Sequence, residues 1–356
     1  MKTRAARFVT GVWEDTGRRG TIVRVVMAPV SAMYGAGVTL RNAAYSAGVV
    51  ASHAVAARTV SIGNVRVGGT GKTPLTRWLA TAAAARGVAV AIVSRGYGGA
   101  RREAHVVGDG SASPTGDVVA SGDEAVMLAR TSGVPVVAGR DRVAAARLAI
   151  ERFRSRLLLC DDAFQHRRLA RDVDVVLVGV GERGGVTRLL PGGPLREPLR
   201  GLARAHVVVV CDRQGVGGAG PELRPGQLAA RVRCAPSALV SPTANGWEEI
   251  GLAALAGQRV LAVSGVARPA PLYKALRDWE AELVHILEYP DHHPYDARDW
   301  QAIVHAAKNV DMIVTTEKDL VKLEAFPFAR GKLVALRLGV HLDDPEPLLA
   351  RVLGVG

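Results

Sequence analysis

The chain has 356 residues, 48% of them hydrophobic and only 4% aromatic, which is ample material for a large core and too much for one small domain. Its formal net charge of +13 calls for an anionic partner: nucleic acid, an anionic membrane surface or a phosphorylated substrate. The basic residues are mostly scattered arginines without interleaved aromatics, which disfavours nucleic acid; Cys160, Cys211 and Cys234 lie far apart in sequence, which disfavours a disulfide framework or zinc site and favours a reducing compartment.

At the N-terminus, Lys2, Arg4 and Arg7 are followed by Glu14 and Asp15 before any apolar run, unlike a cleaved signal peptide. Val25 to Leu40 is uncharged and mostly apolar, bounded by Arg24 and Arg41, with Arg18 and Arg19 upstream. It falls short of the ~20 residues of a spanning helix, and Pro29, Gly35 and Gly37 interrupt it. Residues 42–57 form a second apolar stretch with small side chains. Residues 1–57 therefore read either as core or capping helices, or as an interfacial segment whose arginines meet lipid phosphates.

From Thr59 the pattern alternates. Strands are predicted at 59–62, 88–94, 134–138, 157–160, 173–180 and 206–211, and helices at 74–86, 124–131 and 143–153. Residues 100–122 are polar and Gly-rich and read as a hairpin or loop. Residues 58–225 thus predict an α/β domain with a doubly wound parallel sheet, which binds ligands at the carboxyl ends of its strands. The Gly/Pro-rich stretch 215–226 marks a boundary, and residues 226–356 predict a second, smaller α/β domain. Residues 231–241 and 332–341 alternate like strands and can pair as a ribbon between the two.

The strongest local signal is Arg66-Val67-Gly68-Gly69-Thr70-Gly71-Lys72-Thr73, after a strand and before a helix. Backbone N–H groups and the helix N-terminus there can cradle phosphates, Lys72 can reach β/γ oxygens, and Thr73 can ligate Mg²⁺. Arg66 stands where the usual phosphate-binding loop has its first glycine, so the segment is the GGxGKT variant. ATP with Mg²⁺ is the expected ligand, and the sheet is P-loop NTPase-like. Asp161 and Asp162 follow the apolar run 157–159, a place suited to organising Mg²⁺ and equally to capping a turn. Asp123 and Glu124 open a helix, where an N-cap and a first-turn acid suffice to explain them. Asp291-His292-His293 suits a metal site, a His–carboxylate pair or a surface turn.

These motifs form an ordered set: GNVRVGGTGKTP (63–74), SRGYGG (94–99), GDE (122–124), DDAFQHRRLARD (161–172), LLPGGPLREP (189–198), YPDHHPY (289–295) and TTEKD (315–319). In that order, over about residues 20–350, the chain resembles the tetraacyldisaccharide 4′-kinases of lipid A biosynthesis. Ala125, Ala163 and Gly192 depart from the family pattern without removing a functional group. The resemblance implies ATP-dependent phosphorylation of the 4′-hydroxyl of a tetraacyldisaccharide 1-phosphate. It also implies a peripheral or monotopic position on the cytoplasmic face of the bacterial inner membrane, with no obligate protein partner. It gives Asp123 the base role with His292 beside it, and makes Lys72 catalytic. It adds Glu197 to Thr73, Asp161 and Asp162 as candidates for the metal shell. Arg95, Arg142, His166, Arg196 and His293 become candidate phosphate or substrate contacts. TTEKD reads equally as a helix cap and as a nucleotide contact.

Two other classes share the phosphate loop. Another GGxGKT enzyme, such as a ligase or cofactor kinase, leaves GPLREP and DHH without purpose. A partitioning or regulatory ATPase needs neither the apolar N-terminal segment nor a base with a histidine.

Overall fold

The computed structural model describes Trp13 and residues 17–111, 116–180, 188–212, 220–243, 246–329 and 331–355. Lys2, Arg4, Arg7, Glu14, Asp15 and the first part of the predicted 215–226 boundary lie outside the described residues.

The strands are β1 (Arg58–Asn64), β2 (Val90–Ser94), β3 (His105–Asp109), β4 (Pro135–Ala138), β5 (Leu157–Asp161), β6 (Val173–Gly179), β7 (Val207–Asp212), β8 (Leu228–Thr243), β9 (Gly246–Ile250), β10 (Arg259–Ser264), β11 (Glu282–Glu288), β12 (Met312–Thr316) and β13 (Leu333–Leu342). The helices are α1 (Arg18–Ser46), α2 (Lys72–Ala85), α3 (Val118–Ser121), α4 (Asp123–Thr131), α5 (Arg142–Phe153), α6 (Ala270–Asp278), α7 (Ala297–Ala306), α8 (Glu317–Leu323) and α9 (Glu346–Leu353).

The strands form one sheet in the order β11-β10-β12-β13-β8-β7-β6-β1-β5-β2-β4-β3, with β9 paired to β8. Around β1 the pairing is parallel on both sides, to β5 and β6. These strands are near-continuous apolar runs such as Val207–Val210, all buried, because helices cover both faces of a parallel sheet. The antiparallel edge strand β3 lies within 100–122, a polar, Gly-rich segment whose composition predicts a hairpin or loop. Five residues with a single glycine at Gly108 carry too little periodicity to distinguish them from a loop.

Two long strands bind the halves of the sheet. β8 runs parallel to β7 over Leu228–Arg233 and antiparallel to β13 over Val232–Val240. The predicted 231–241 and 332–341 ribbon is this β8/β13 pair.

The N-terminal segment differs from its expected form. It is a single 29-residue helix running through Pro29, Gly35 and Gly37, and it stops at Ser46 instead of giving way to a second helix at 42–57. Gly48, at φ +73°, turns the chain out, and His53 then bridges to Leu169. A proline inside a helix removes one hydrogen bond without ending it when the flanking turns are otherwise intact. Gly20–Ser46 is long and apolar enough to cross a membrane by length and composition, which corrects the shorter estimate from the uncharged core alone.

Candidate functional site

The phosphate loop leaves β1 and enters α2 at Gly71, whose φ of +88° requires glycine. A Cβ there would also press on Cys234 Sγ at 2.9 Å and Cys211 Sγ at 3.1 Å beneath the loop. Asn64 Nδ2 donates to Thr70 Oγ1 at 2.9 Å across the loop. On its outer side runs the GPLREP segment: Val67 N donates to Pro194 O at 2.8 Å and Arg196 N to Val65 O at 2.8 Å. Arg66 pairs with Leu195 there.

The second acidic strand end is built against this loop. Thr76 Oγ1, from α2, donates to Asp161 Oδ1 at 2.9 Å. Burial, and then the charges of Glu124 and Asp162, push the Asp161 carboxyl up to about 7. Burial acts the same way on Asp162, but Lys72 at 3.5 Å and Arg196 at 2.7 Å outweigh it and hold that carboxyl below its usual range. Asp162 has a left-handed backbone, φ +47°, a conformation that aspartate tolerates better than most residues.

A third loop pair brings Asp123 to the same edge. Gly122 and the Tyr97 carbonyl pack so closely that any Cβ at Gly122 would collide with it. This contact seats the GDE turn on the SRGYGG turn. Asp123, 4% exposed, begins α4, and His292 reaches it from the other half of the sheet. His292 Nδ1 lies 3.0 Å from both Asp123 oxygens, and the Tyr97 ring sits 4.9 Å from the imidazole. His292 also has a left-handed backbone, φ +58°, closed by its N–H to Gly265 O at 3.2 Å. Burial raises the Asp123 carboxyl, but the His292 hydrogen bond and the charges of Lys318 and Lys322 outweigh it and hold Asp123 below the usual carboxylate range.

A family model described as tetraacyldisaccharide-1-P 4′-kinase (LpxK) matches residues 23–355. The chain belongs to the tetraacyldisaccharide-1-P 4′-kinase family. A relative from Syntrophus aciditrophicus, named tetraacyldisaccharide 4′-kinase, is 40% identical over 351 residues, covering 93% of this chain and 92% of its own. A Geobacter sulfurreducens protein of the same name is 36% identical, covering 96% and 98%. The crystal structure of LpxK from Aquifex aeolicus in complex with ATP superposes with a TM-score of 0.79 at 28% identity, covering 94% of this chain and 99% of that one. The P-loop NTPase-like α/β fold expected from the sequence is the fold of this kinase family.

Within this family fold, Lys72, Asp161, Asp162 and Arg196 converge at the phosphate loop, and Asp123 pairs with His292. Arg95 is exposed just past the end of β2. Other expected contacts are otherwise engaged. Arg142 is 1% exposed and donates to Asp161 O at 2.9 Å and Gly139 O at 3.3 Å, so it holds backbone where a phosphate contact was expected. His166 is pushed down to about 4 by burial and by Arg142, leaving it neutral at pH 7 and without a charge to offer a phosphate. His293 Nε2 lies 2.7 Å from Asp299 Oδ2 and stacks on Tyr289, which fastens the turn bearing its neighbour. Glu197 accepts from Arg204, Gln165 and Asn42 at 2.8, 2.9 and 3.2 Å, which occupies the carboxylate expected on the metal.

Among the described residues, no group of three or more His, Cys, Asp or Glu side chains forms a ready metal cage. The site nevertheless fits Mg²⁺, which takes most of its ligands from phosphates and water. Burial, with the charges of Glu124 and Asp162, raises the Asp161 carboxyl even beside Lys72, and a bound divalent cation would offset that penalty. Lys318, Lys322 and Tyr97 join the site only through the fold. TTEKD was a signal for the first, and its Thr316 does cap α8, accepting from Asp319 N at 3.2 Å.

Proposed function

We propose that this chain transfers the γ-phosphoryl group of ATP to the 4′-hydroxyl of a tetraacyldisaccharide 1-phosphate, in lipid A biosynthesis at the cytoplasmic face of the bacterial inner membrane. The observation that carries this reading is the 3.0 Å pairing of His292 with Asp123, at the same strand-end face as the phosphate loop. Backbone N–H groups of Val67–Thr73 cradle the phosphates, and Lys72 neutralises charge on the β/γ oxygens. Thr73, Asp161 and Asp162 would hold Mg²⁺, which when bound shares that neutralisation. Glu197 supports from one layer further out, holding Gln165 and Asn42.

Asp123 is ionised at neutral pH and accepts a hydrogen bond from the sugar hydroxyl. As the hydroxyl oxygen bonds to the γ-phosphorus, the bond to the β,γ-bridging oxygen breaks and ADP departs. The hydroxyl proton, now far more acidic, passes to an Asp123 oxygen. His292 keeps that carboxylate oriented, Arg95 remains exposed to meet an acidic group on the substrate, and Arg196 is held at the phosphate loop by Asp162.

An assay with labelled ATP and purified tetraacyldisaccharide 1-phosphate in detergent micelles tests this. ATP consumption should track acceptor phosphorylated. Lys72→Ala should retain less than about a tenth of turnover, and Asp123→Asn should lose on the order of 10²–10⁴ in kcat with ATP KM little changed. Steady ATP hydrolysis that ignores the acceptor would point to a switch ATPase instead.

A further inference from the structure

TTEKD is placed at the site by the fold, yet the reaction above uses none of its side chains directly. Thr316 caps α8. Glu317 receives Arg77 and Arg337. Asp319, fully buried, accepts from Gly265 N at 2.9 Å, and the Gly265 carbonyl in turn receives His292 N. Lys318 alone points into the site. Its Nζ lies 3.0 Å from His292 Nε2, 3.1 Å from Asp291 Oδ1 and 3.4 Å from Glu124 Oε1. The ammonium thus donates to His292 and Asp291 and forms an ion pair with Glu124.

An ammonium group has no lone pair. A ring nitrogen held 3.0 Å from it must be the acceptor, so Nε2 carries no hydrogen. The hydrogen of a neutral imidazole then sits on Nδ1, which faces Asp123. We infer that Lys318 is a positioning residue that holds His292 as the neutral Nδ1–H tautomer aimed at Asp123. Protonating Nε2 would require the ammonium to leave its place between Asp291 and Glu124. The inference rests on Asp123 and His292 being the catalytic pair. Its consequence is that the base is held by a neutral donor and keeps more basicity than beside an imidazolium.

The charged and titratable groups around the imidazole are Asp123 and Glu124 from α4, Asp291 from its own turn, Lys318 and Lys322 from α8, and Tyr97, whose ring packs against it from the 94–99 turn. Without Lys318 the three carboxylates are left to favour the imidazolium.

The test is long-range ¹H–¹⁵N spectroscopy of the full chain labelled at histidine nitrogen, with the His292 signals assigned by their loss in His292→Gln. In the unaltered protein at neutral pH His292 should show an unprotonated Nε2 and a protonated Nδ1. Lys318→Met should leave Nδ1 protonated against Asp123 and add a proton at Nε2 under the same conditions. In the micelle assay, Lys318→Met should lower kcat on the order of ten- to a hundredfold, the usual effect of losing a partner that orients a functional side chain. ATP KM should stay within about threefold, and Lys318→Arg should recover part of the rate. An Nε2–H tautomer in the unaltered protein, a measurement that needs no variant to fold, overturns the inference. So does a Lys318→Met enzyme at full rate while Asp123→Asn is inactive. Full activity in Asp123→Asn would instead bring down the catalytic reading beneath it, with the tautomer measurement standing apart.

Discussion

At Asp123, burial and charge act in opposite directions, and charge prevails: a carboxyl 4% exposed is kept ionised by the His292 hydrogen bond and two lysines. His166 shows the converse, a side chain kept neutral by burial and by two neighbouring arginines. Its folded value of about 4 lies below the ordinary 6.5. Between those values the unfolded chain binds a proton that the folded protein refuses, so this contribution is complete above pH 6.5 and fades as pH falls towards 4. His166→Asn should therefore lose less stability than the unaltered protein between pH 7 and 4.5, measured as the shift of the urea midpoint. Parallel pH dependences in the two proteins would refute this account of the site. Sequence could name His166 within DDAFQHRRLARD, but its protonation depends on Arg142, which lies 24 positions earlier and comes close only in the fold.

Among the elements, α8 has the most to hold. Glu317 accepts from Arg77 of α2 at 2.9 Å and Arg337 of β13 at 2.7 Å, while Glu324 just past its end pairs with Arg130 of α4 at 2.7 Å. One short helix thereby ties the phosphate-loop helix and the Asp123 helix to the half that carries His292. Glu317→Ala leaves two mostly buried guanidinium groups short of a partner and should cost roughly 3 kcal/mol in urea unfolding, the range for breaking a buried ion pair. A double-mutant cycle with Arg77→Ala should return a coupling of about 1 kcal/mol or more; strict additivity would mean that the bridge contributes nothing. The helix start was legible from Thr316 and Asp319, since capping is local. The ion pairs were not, because Arg77 and Glu317 are separated by 240 positions.

Across the whole molecule, α1 forms one continuous path to the nucleotide loop. Ser31 Oγ accepts from Gly192 N at 2.9 Å, Tyr34 OH donates to Arg196 O at 2.8 Å, and Asn42 reaches Glu197. The GPLREP segment so held is the one paired with Arg66 and Val67. The rest of the helix turns apolar side chains outward: Val25 is 64%, Val26 63% and Met33 76% exposed. A cluster of this kind on a basic protein suits insertion at an anionic lipid surface. Accordingly, the protein should co-sediment with anionic vesicles, more weakly as salt rises. Changing Val25, Val26, Val30 and Met33 to Ser should reduce that binding severalfold. Equal sedimentation of the two proteins would count against the membrane role of α1.

Phosphate-loop chemistry, the alternation of strands and helices, and the helix caps were readable along the chain because each depends on residues within a few positions of one another. The length of α1 was not, since whether Pro29 and two glycines break a helix depends on what the flanking turns pack against. Spacing left the Asp291-His292-His293 turn open among metal site, carboxylate pair and surface turn. Folding separates the two histidines, sending His292 to Asp123 and His293 to Asp299. Those partners are 169 and 6 residues away, and a left-handed backbone at His292 turns adjacent side chains in different directions. Long-range pairing of this sort exists only once β8 and β13 have joined the two halves of the sheet.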